Sequence, residues 1–424
     1  MRKGIFKFSV LILITVSFVI VASLAISQDK RAQKDNLYRD INLFSDGFAI
    51  IQDDYVDEID SKSLIYGALE GMLVSLDPHS QFMDPDTYNE LKVDTTGEFG
   101  GLGIEITIKD GLLAVVTPIE DTPAWQAGIK SGDYIVKIDQ ELTRNITLIE
   151  AVKKMRGRPN TEINLTILRP GEDKLLEFKI IREVIKIKDI KDARILGDGI
   201  GYIRFVEFRQ NTSDDFARAV AELKKQGMEA LILDLRNNPG GLLDIAIKIV
   251  ENFIEKGKLI VSTRGRKADQ NMEFVSFNKN ADTSLPLVVL VNQGSASGSE
   301  IVAAALQDYK RAIILGTKTF GKGSVQSVIP LNDGSAIRLT TSKYFSPKGQ
   351  VIHGKGVIPD IVVEEGRIQL AEEENGFARD IFQELEKEEA ADALKKKMPE
   401  NYLTDSQLMR AMDVLRAILI YRAK

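Results

Sequence analysis

Two continuous apolar runs, L-I-L-D-L at Leu231–Leu235 and L-V-V-L-V at Leu287–Val291, constrain this chain more than any other feature. Neither alternates polar with apolar residues, so each fits a strand buried on both faces of an α/β sheet. The flanking segments agree. Gly201–Phe205 reads as a strand, Thr212–Gln226 as a helix, Ala230–Leu235 as a strand and Leu242–Ile254 as a helix. Leu285–Val291 is the next strand and Glu300–Tyr309 the next helix, which together predict an α/β domain. After Ala312 the pattern becomes strand and hairpin, turned by Asn332-Asp333-Gly334.

Upstream the character differs. Ile41, Phe44, Phe48, Ile51 and Tyr55 recur at helical spacing, and Leu64–Leu76 gives a second helical run. From Gly97 to about Arg182 the chain reads as a compact β-rich module. Its strands are Ile104–Ile108, Leu112–Val116, Tyr134–Ile138, Ile163–Leu168 and Leu175–Ile181, with one helix, Leu148–Met155, capped by Thr147. The tail from about Arg367 is charged and helical. Its stripe Leu408, Met412, Leu415, Ile418 and Leu419 reads as core or a partner-helix face.

At the N-terminus, Arg2, Lys3 and Lys7 precede an uncharged run from Phe8 to Ile26, close to the ~20 residues that span a bilayer as a helix. The basic flank would stay in the cytoplasm and send the rest outward. Ser23-Leu24-Ala25 also offers a small-x-small cleavage pattern, so a cleaved signal and a retained anchor both fit. Either places the mature protein outside the cytoplasm. The 424 residues suffice for two or three domains, and a formal net charge of −6 gives no reason to expect a nucleic-acid partner.

The inventory of chemical groups is restrictive. The chain has no cysteine and two histidines, His79 and His353, which lie far apart without metal-ligand spacing. A covalent hydrolase built from it needs an alcohol nucleophile and, with histidine so scarce, an amine base. G-S-A-S-G-S-E, Gly294 to Glu300, sits between a buried strand and a helix. Ser297 with Glu300 forms a capping-box pattern, so a helix cap and a nucleophile beside the free N–H groups of a helix start both fit. In the nucleophile reading, the N–H of Gly298 faces a developing oxyanion.

G-T-K-T-F-G-K-G-S, Gly316 to Ser324, nearly matches a phosphate-binding loop, but Gly323 stands where serine or threonine belongs and the sequel reads as a hairpin. Lys322 is then the candidate base, needing burial or a neighbouring cation to lower its pKa. In an extended strand, Gln326 shares its face and would hold the amine. D-L-R-N-N-P-G-G, Asp234 to Gly241, ends a buried strand, and Gly240 or Gly241 would offer a second oxyanion N–H.

The serine turn, T-F-G-K-G-S-V-Q and D-L-R-N-N-P-G-G, with L-D-P-H-S-Q-F-M-D-P at Leu76–Pro85 and I-H-G-K-G-V-I-P-D-I at Ile352–Ile361, occur in an order that closely resembles the C-terminal processing (tail-specific) proteases. The resemblance runs from Asn36 to Val363. It implies a crotonase/ClpP-like α/β protease core with an inserted PDZ domain between helical N- and C-terminal regions. Ser297 would be the nucleophile, Lys322 its base and Gln326 the residue that orients the base; Gly298 replaces the family's usual alanine. The β-rich module then resembles a PDZ domain whose G-L-G-I loop, Gly101, Leu102, Gly103 and Ile104, would bind a peptide carboxylate, with Leu102, Ile104 and Leu148 lining the groove. The expected domains are a signal or anchor over 1–27, a helical region over 36–96, the PDZ domain over 97–182, the protease core over 183–365 and a helical region over 366–424.

The expected activity is serine endopeptidase cleavage near protein C-termini, with no metal or cofactor. A membrane-anchored PDZ adaptor with an inactive protease-like domain is the rival, and an acyl-CoA enzyme of the crotonase fold a second. Expected partners are protein or peptide C-termini and, through the N-terminal segment, a membrane; the helical ends suggest a homodimer.

Overall fold

The computed structural model describes residues 36–109, 111–366 and 405–423. The expected signal or anchor, and the tail between 367 and 404, lie outside the described residues. The described chain divides into two units, the first ending at Phe82 and the second beginning at Met83.

In the first unit a helix over 36–54 (α1) is followed by α2, Ser61–Val74. Asp60 caps α2 by accepting the Ser63 N–H at 3.1 Å. Asp77, in the D-P-H-S motif, accepts the N–H groups of His79 and Ser80, so its carboxylate holds a tight turn.

The second unit opens with α3, Pro85–Thr96, capped by Asp84. Then β1, Glu98–Gly101, leads into the β-rich module. The module is an antiparallel sheet in the order β2 (Ile104–Lys109), β3 (Leu112–Pro118), β4 (Tyr134–Ile138), β5 (Glu162–Leu168) and β6 (Leu176–Ile181). Between β3 and β4 lies the short helix α4, Pro123–Gln126, and between β4 and β5 lies α5, Leu148–Met155, with the expected Thr147–Glu150 capping box. Leu113, Ile135, Ile163, Leu165 and Ile167 fill its core. The chain leaves through β7, Glu183–Lys186, which pairs antiparallel with β1, so one two-stranded ribbon carries the chain in and out of the module.

The central sheet follows the two apolar runs. Its order is β8 (Ile190–Gly197), β9 (Ile200–Phe205), β10 (Ala230–Asp234), β13 (Leu287–Val291), β14 (Ile313–Gly316) and β17 (Ile361–Val362). Only β8–β9 is antiparallel; the other pairs are parallel. Every residue of β10 and β13 is buried. Leu231, Leu233, Val289 and Val291 face a core with α6 (Thr212–Lys225), α7 (Leu243–Glu251) and α8 (Gly298–Asp308), while Ile232, Val288 and Leu290 face the other side.

That other side is covered by α9, Ser406–Arg422, through Leu408, Ala411, Met412 and Leu415. The stripe is therefore core at Leu408, Met412 and Leu415, each contributing about 1.5–3 kcal/mol by leaving water, while Ile418 and Leu419 are partly buried against the same face. A second, antiparallel sheet holds β15 (Ser324–Pro330), β16 (Ala336–Phe345), β11 (Leu259–Gly265) and β12 (Met272–Val275). The β15–β16 hairpin turns at Asn332-Asp333-Gly334 as expected. Strands β8, β11 and β12 have no counterpart in the sequence reading.

Candidate active site

Three loops meet at the C-terminal ends of β10, β13 and β14. The turn after β10 and the serine turn after β13 are laced together. Asn292 Oδ1 accepts the N–H groups of Asn237 and Gly294 at 2.9 and 3.0 Å. The Asn238 carbonyl accepts the Ala296 N–H at 3.1 Å and the Ser299 hydroxyl at 3.0 Å.

This lacing separates the three serines. Ser295 accepts the Asn292 N–H and donates to the Leu235 carbonyl at 2.7 Å, and Ser299 is held by Asn238; both are wholly buried. Ser297 is partly exposed and lines a cleft of about 1110 Å³ together with Lys322, Gln326, Gly241 and Arg338. It is the N-cap of α8, with φ 50° and ψ −111°, a conformation that a residue with a Cβ holds only under strain. Of the capping box, the Glu300 half is formed: its Oε2 accepts the Ser297 N–H at 3.0 Å, and the Glu300 N–H goes to the Ser297 carbonyl.

The Gly298 N–H, at the first position of α8, is donated to no described residue. Gly240 packs against it: a Cβ there would lie 2.6 Å from both the Ala296 oxygen and the Gly298 nitrogen. Its own N–H, however, is taken by Asn238 Oδ1 at 2.8 Å. Of the two glycines expected to offer a second oxyanion donor, Gly241 is the one that lines the cleft with its N–H given to no described residue.

Lys322 lies in the connection from β14 to β15, not in a strand. Gly323 carries no side chain because a Cβ would meet the His353 nitrogen at 2.2 Å, and the I-H-G-K-G segment seals the turn from that side, with the Gly354 N–H donated to the Gly321 carbonyl at 2.9 Å. Burial pushes the Lys322 pKa below its ordinary 10.5, and the neighbouring Arg338 cation pushes it the same way. Among the described residues no carboxylate pairs with its ammonium. The phosphate-loop resemblance ends at Gly323, because the strand β15 follows where a helix N-terminus would be required.

Gln326 departs from the expected geometry. A register shift between Val325 and Gln326 breaks the simple alternation, and its Nε2 donates to Ser324 and Thr340 hydroxyls at 3.2 Å each. Gln326 lines the same cleft as Lys322, but its amide nitrogen is held by the strand pair.

Glu300 is the residue that sequence reasoning undervalued. It is fully buried, and besides Ser297 it accepts the Thr319 hydroxyl at 2.5 Å, the Gly321 N–H at 2.7 Å and the Lys322 N–H at 2.8 Å. Burial pushes its carboxyl above the usual range while these four donors pull it down. The S-x-x-E spacing hinted only at its bond to the serine.

In the β-rich module, Gly101 closes the ribbon opposite Glu183, and the Leu102 side chain is buried in the core. Gly103, at φ 76°, tolerates no Cβ, which would lie 2.3 Å from Thr122. Neither the Leu102 nor the Gly103 N–H is donated to a described residue. The Ile119 N–H to Gly103 carbonyl bond makes Ile104–Pro118 a non-hydrogen-bonded pair, so the Ile104 N–H points to the free edge of β2. Leu148, at the start of α5, is 40% exposed.

Comparison with known proteins gives this arrangement a lineage. Residues 199–363 match the model of peptidase family S41, 115–169 a PDZ domain, and 15–87 the N-terminal domain of the activating protease CtpB. A carboxy-terminal-processing protease of Bartonella bacilliformis is 46% identical over 368 residues, covering 86% of this chain and 83% of the relative. A carboxyl-terminal-processing protease of Synechocystis sp. is 42% identical, covering 72% and 73%. Among solved structures, a photosystem II D1 C-terminal processing protease aligns at 29% identity with a TM-score of 0.45, over 76% of this chain and 92% of that one. The chain belongs to peptidase family S41, as a carboxy-terminal-processing serine protease that carries a PDZ domain.

Proposed function

We propose that this protease works through a Ser297–Lys322 dyad. The observation that carries the reading is that Ser297 and Lys322 line one cleft, with the lysine half-buried, unpaired by any described carboxylate and beside Arg338. Such an amine loses its proton nearer neutrality and can accept the hydroxyl proton. Ser297 Oγ attacks the scissile carbonyl while Lys322 takes its proton. The developing oxyanion is met by the Gly298 N–H and, from the turn after β10, Gly241. The protonated Lys322 then delivers its proton to the leaving amine. Water deacylates the enzyme with Lys322 again as base. Gln326 lines the same cleft as the lysine and donates to the hydroxyls of Ser324 and Thr340.

Substrates are protein C-termini, bound by the module over 97–182. The free N–H groups of Leu102, Gly103 and Ile104 suit a carboxylate, and the open edge of β2 suits an added strand running beside Leu148. The protease core over 183–365 then receives the tail. The basic and apolar N-terminal segment supports a location outside the cytoplasm, tethered or released after cleavage; among the described residues no helix is long and apolar enough to cross a membrane. The exposed Leu37, Ile41, Phe44 and Ile51 of α1 fit a dimer built on the N-terminal region.

The test is cleavage of an unstructured peptide with an apolar C-terminus. Ser297→Ala and Lys322→Ala should each abolish turnover and keep the circular-dichroism spectrum of the parent. Wild-type rates in either variant would sink the dyad. Mass spectrometry of membrane and periplasmic proteins, with and without active enzyme, should reveal trimmed C-termini.

A further inference from the structure

We propose that Glu300 is a positioning residue that sets the nucleophile and the base against one another; this rests on the Ser297–Lys322 reading. A single buried carboxylate spans both loops. Its Oε2 accepts the backbone N–H of Ser297 at 3.0 Å and that of Lys322 at 2.8 Å, while Oε1 accepts the Gly321 N–H at 2.7 Å and the Thr319 hydroxyl at 2.5 Å. The two backbone groups on Oε2 belong to the two residues of the dyad. Their separation is therefore fixed by one atom rather than by two independent loops.

The surroundings tie the carboxylate down. Thr319 accepts the Val357 N–H at 2.7 Å, and the Phe320 N–H is donated to the Ser295 carbonyl at 3.0 Å, so the lysine turn is fastened on both sides of the carboxylate. Glu300 itself sits in the first turn of α8, where the helix start favours a negative charge. Ser297 keeps its φ of 50° while its N–H points at Oε2. Three of the four donors are backbone N–H groups and can only donate, so all four bonds need an acceptor on both oxygens. An amide at this position keeps one acceptor oxygen and sets an NH₂ against the donors of the other.

Glu300→Gln separates this role from simple support of the fold. The expected result is a fall in kcat of about 10²–10³-fold, with KM within threefold on the order of assay error. The Tm should fall, so kcat is normalised to folded protein. The acidic limb of the kcat/KM profile should move to higher pH, because a loosened turn lets Lys322 reach solvent and regain its ordinary pKa. Loss of the negative charge alone would move that limb the other way, and a merely structural role would scale the rate with the folded fraction and leave the limb in place. Either outcome, or a wild-type kcat, overturns the proposal.

If Glu300→Gln does not fold, Thr319→Val removes one donor to the carboxylate, along with the acceptor of the Val357 N–H, and leaves the carboxylate itself in place. It should lower kcat about tenfold and shift the limb in the same direction; an unchanged kcat and limb there overturn the proposal equally. Ser297→Ala and Lys322→Ala are run alongside. If they retain activity, the dyad reading fails; if they are inactive and Glu300→Gln is not impaired, only the positioning role fails.

Discussion

Arg236, in the turn after β10, forms a 2.8 Å ion pair with Asp405, the N-cap of α9. The same guanidinium grips both oxygens of the wholly buried Asp234, whose Oδ2 also accepts the Tyr202 hydroxyl at 2.7 Å. The turn that supplies a glycine to the cleft is thus fastened, through Arg236, to the helix that covers the far face of the sheet.

Asp405→Ala should cost about 1–3 kcal/mol, because it removes both a cap and one partner of a nearly buried guanidinium. Although burial works against its charge, Arg236 and the N–H groups of Gln407 and Leu408 hold the Asp405 carboxyl below its ordinary 3.8. A depressed carboxylate contributes its full stability above the unfolded pKa and loses it as pH falls through the folded one. The gap between parent and variant should therefore close in acid, below pH ~4. Urea titration at pH 7 and in acid measures it.

Lys322→Met should be inactive yet more resistant to urea at pH 7. The half-buried ammonium lies beside Arg338 without a carboxylate, so its charge costs stability below its folded pKa. That cost fades as pH rises and is gone above the unfolded lysine value of ~10.4, where the variant should lose its advantage. In the parent, activity should rise with pH through the lowered lysine pKa. A variant no more stable than the parent at pH 7 contradicts the burial argument.

Ser297→Gly should be as inactive as Ser297→Ala but about 1 kcal/mol more stable than it, since glycine takes φ 50° without strain. Equal melting temperatures for the two would mean that the nucleophile's backbone is not strained.

Ser295→Ala and Ser299→Ala should behave in the opposite sense. Each strips a buried hydroxyl from the lacing with Leu235 or Asn238 and should cost about 1–3 kcal/mol, leaving turnover by the folded fraction measurable. Activity normalised to folded protein distinguishes them from Ser297→Ala.

Gly323→Ala should lower kcat at least tenfold, because its Cβ meets the His353 backbone nitrogen at 2.2 Å and the turn bearing Lys322 has to shift. An unaffected kcat would show that the turn can move without displacing the amine.

The fold was largely legible because its strongest elements carry local signals. The apolar runs fit strands buried on both faces, Thr147 and Glu150 cap α5, and Asn332-Asp333-Gly334 turns the hairpin. β8, β11 and β12 were missed, since their residues carry no clean alternation and are held by their pairing partners, for β11 the remote strand β16 among them. The register shift at Gln326 was invisible for the same reason: strand alternation assumes an uninterrupted ladder.

The sequence by itself determined which chemistry was open. With no cysteine and two distant histidines, it left an alcohol and an amine, and the order of its motifs named a protease family. Tertiary structure decided the rest. It committed Ser295 and Ser299 to the lacing and left Ser297 in the cleft. It gave the Gly240 N–H to Asn238, half-buried Lys322 beside Arg338, and brought four donors from two loops onto Glu300. These outcomes depend on burial and on contacts between segments far apart in the chain, and no local pattern of residues encodes either.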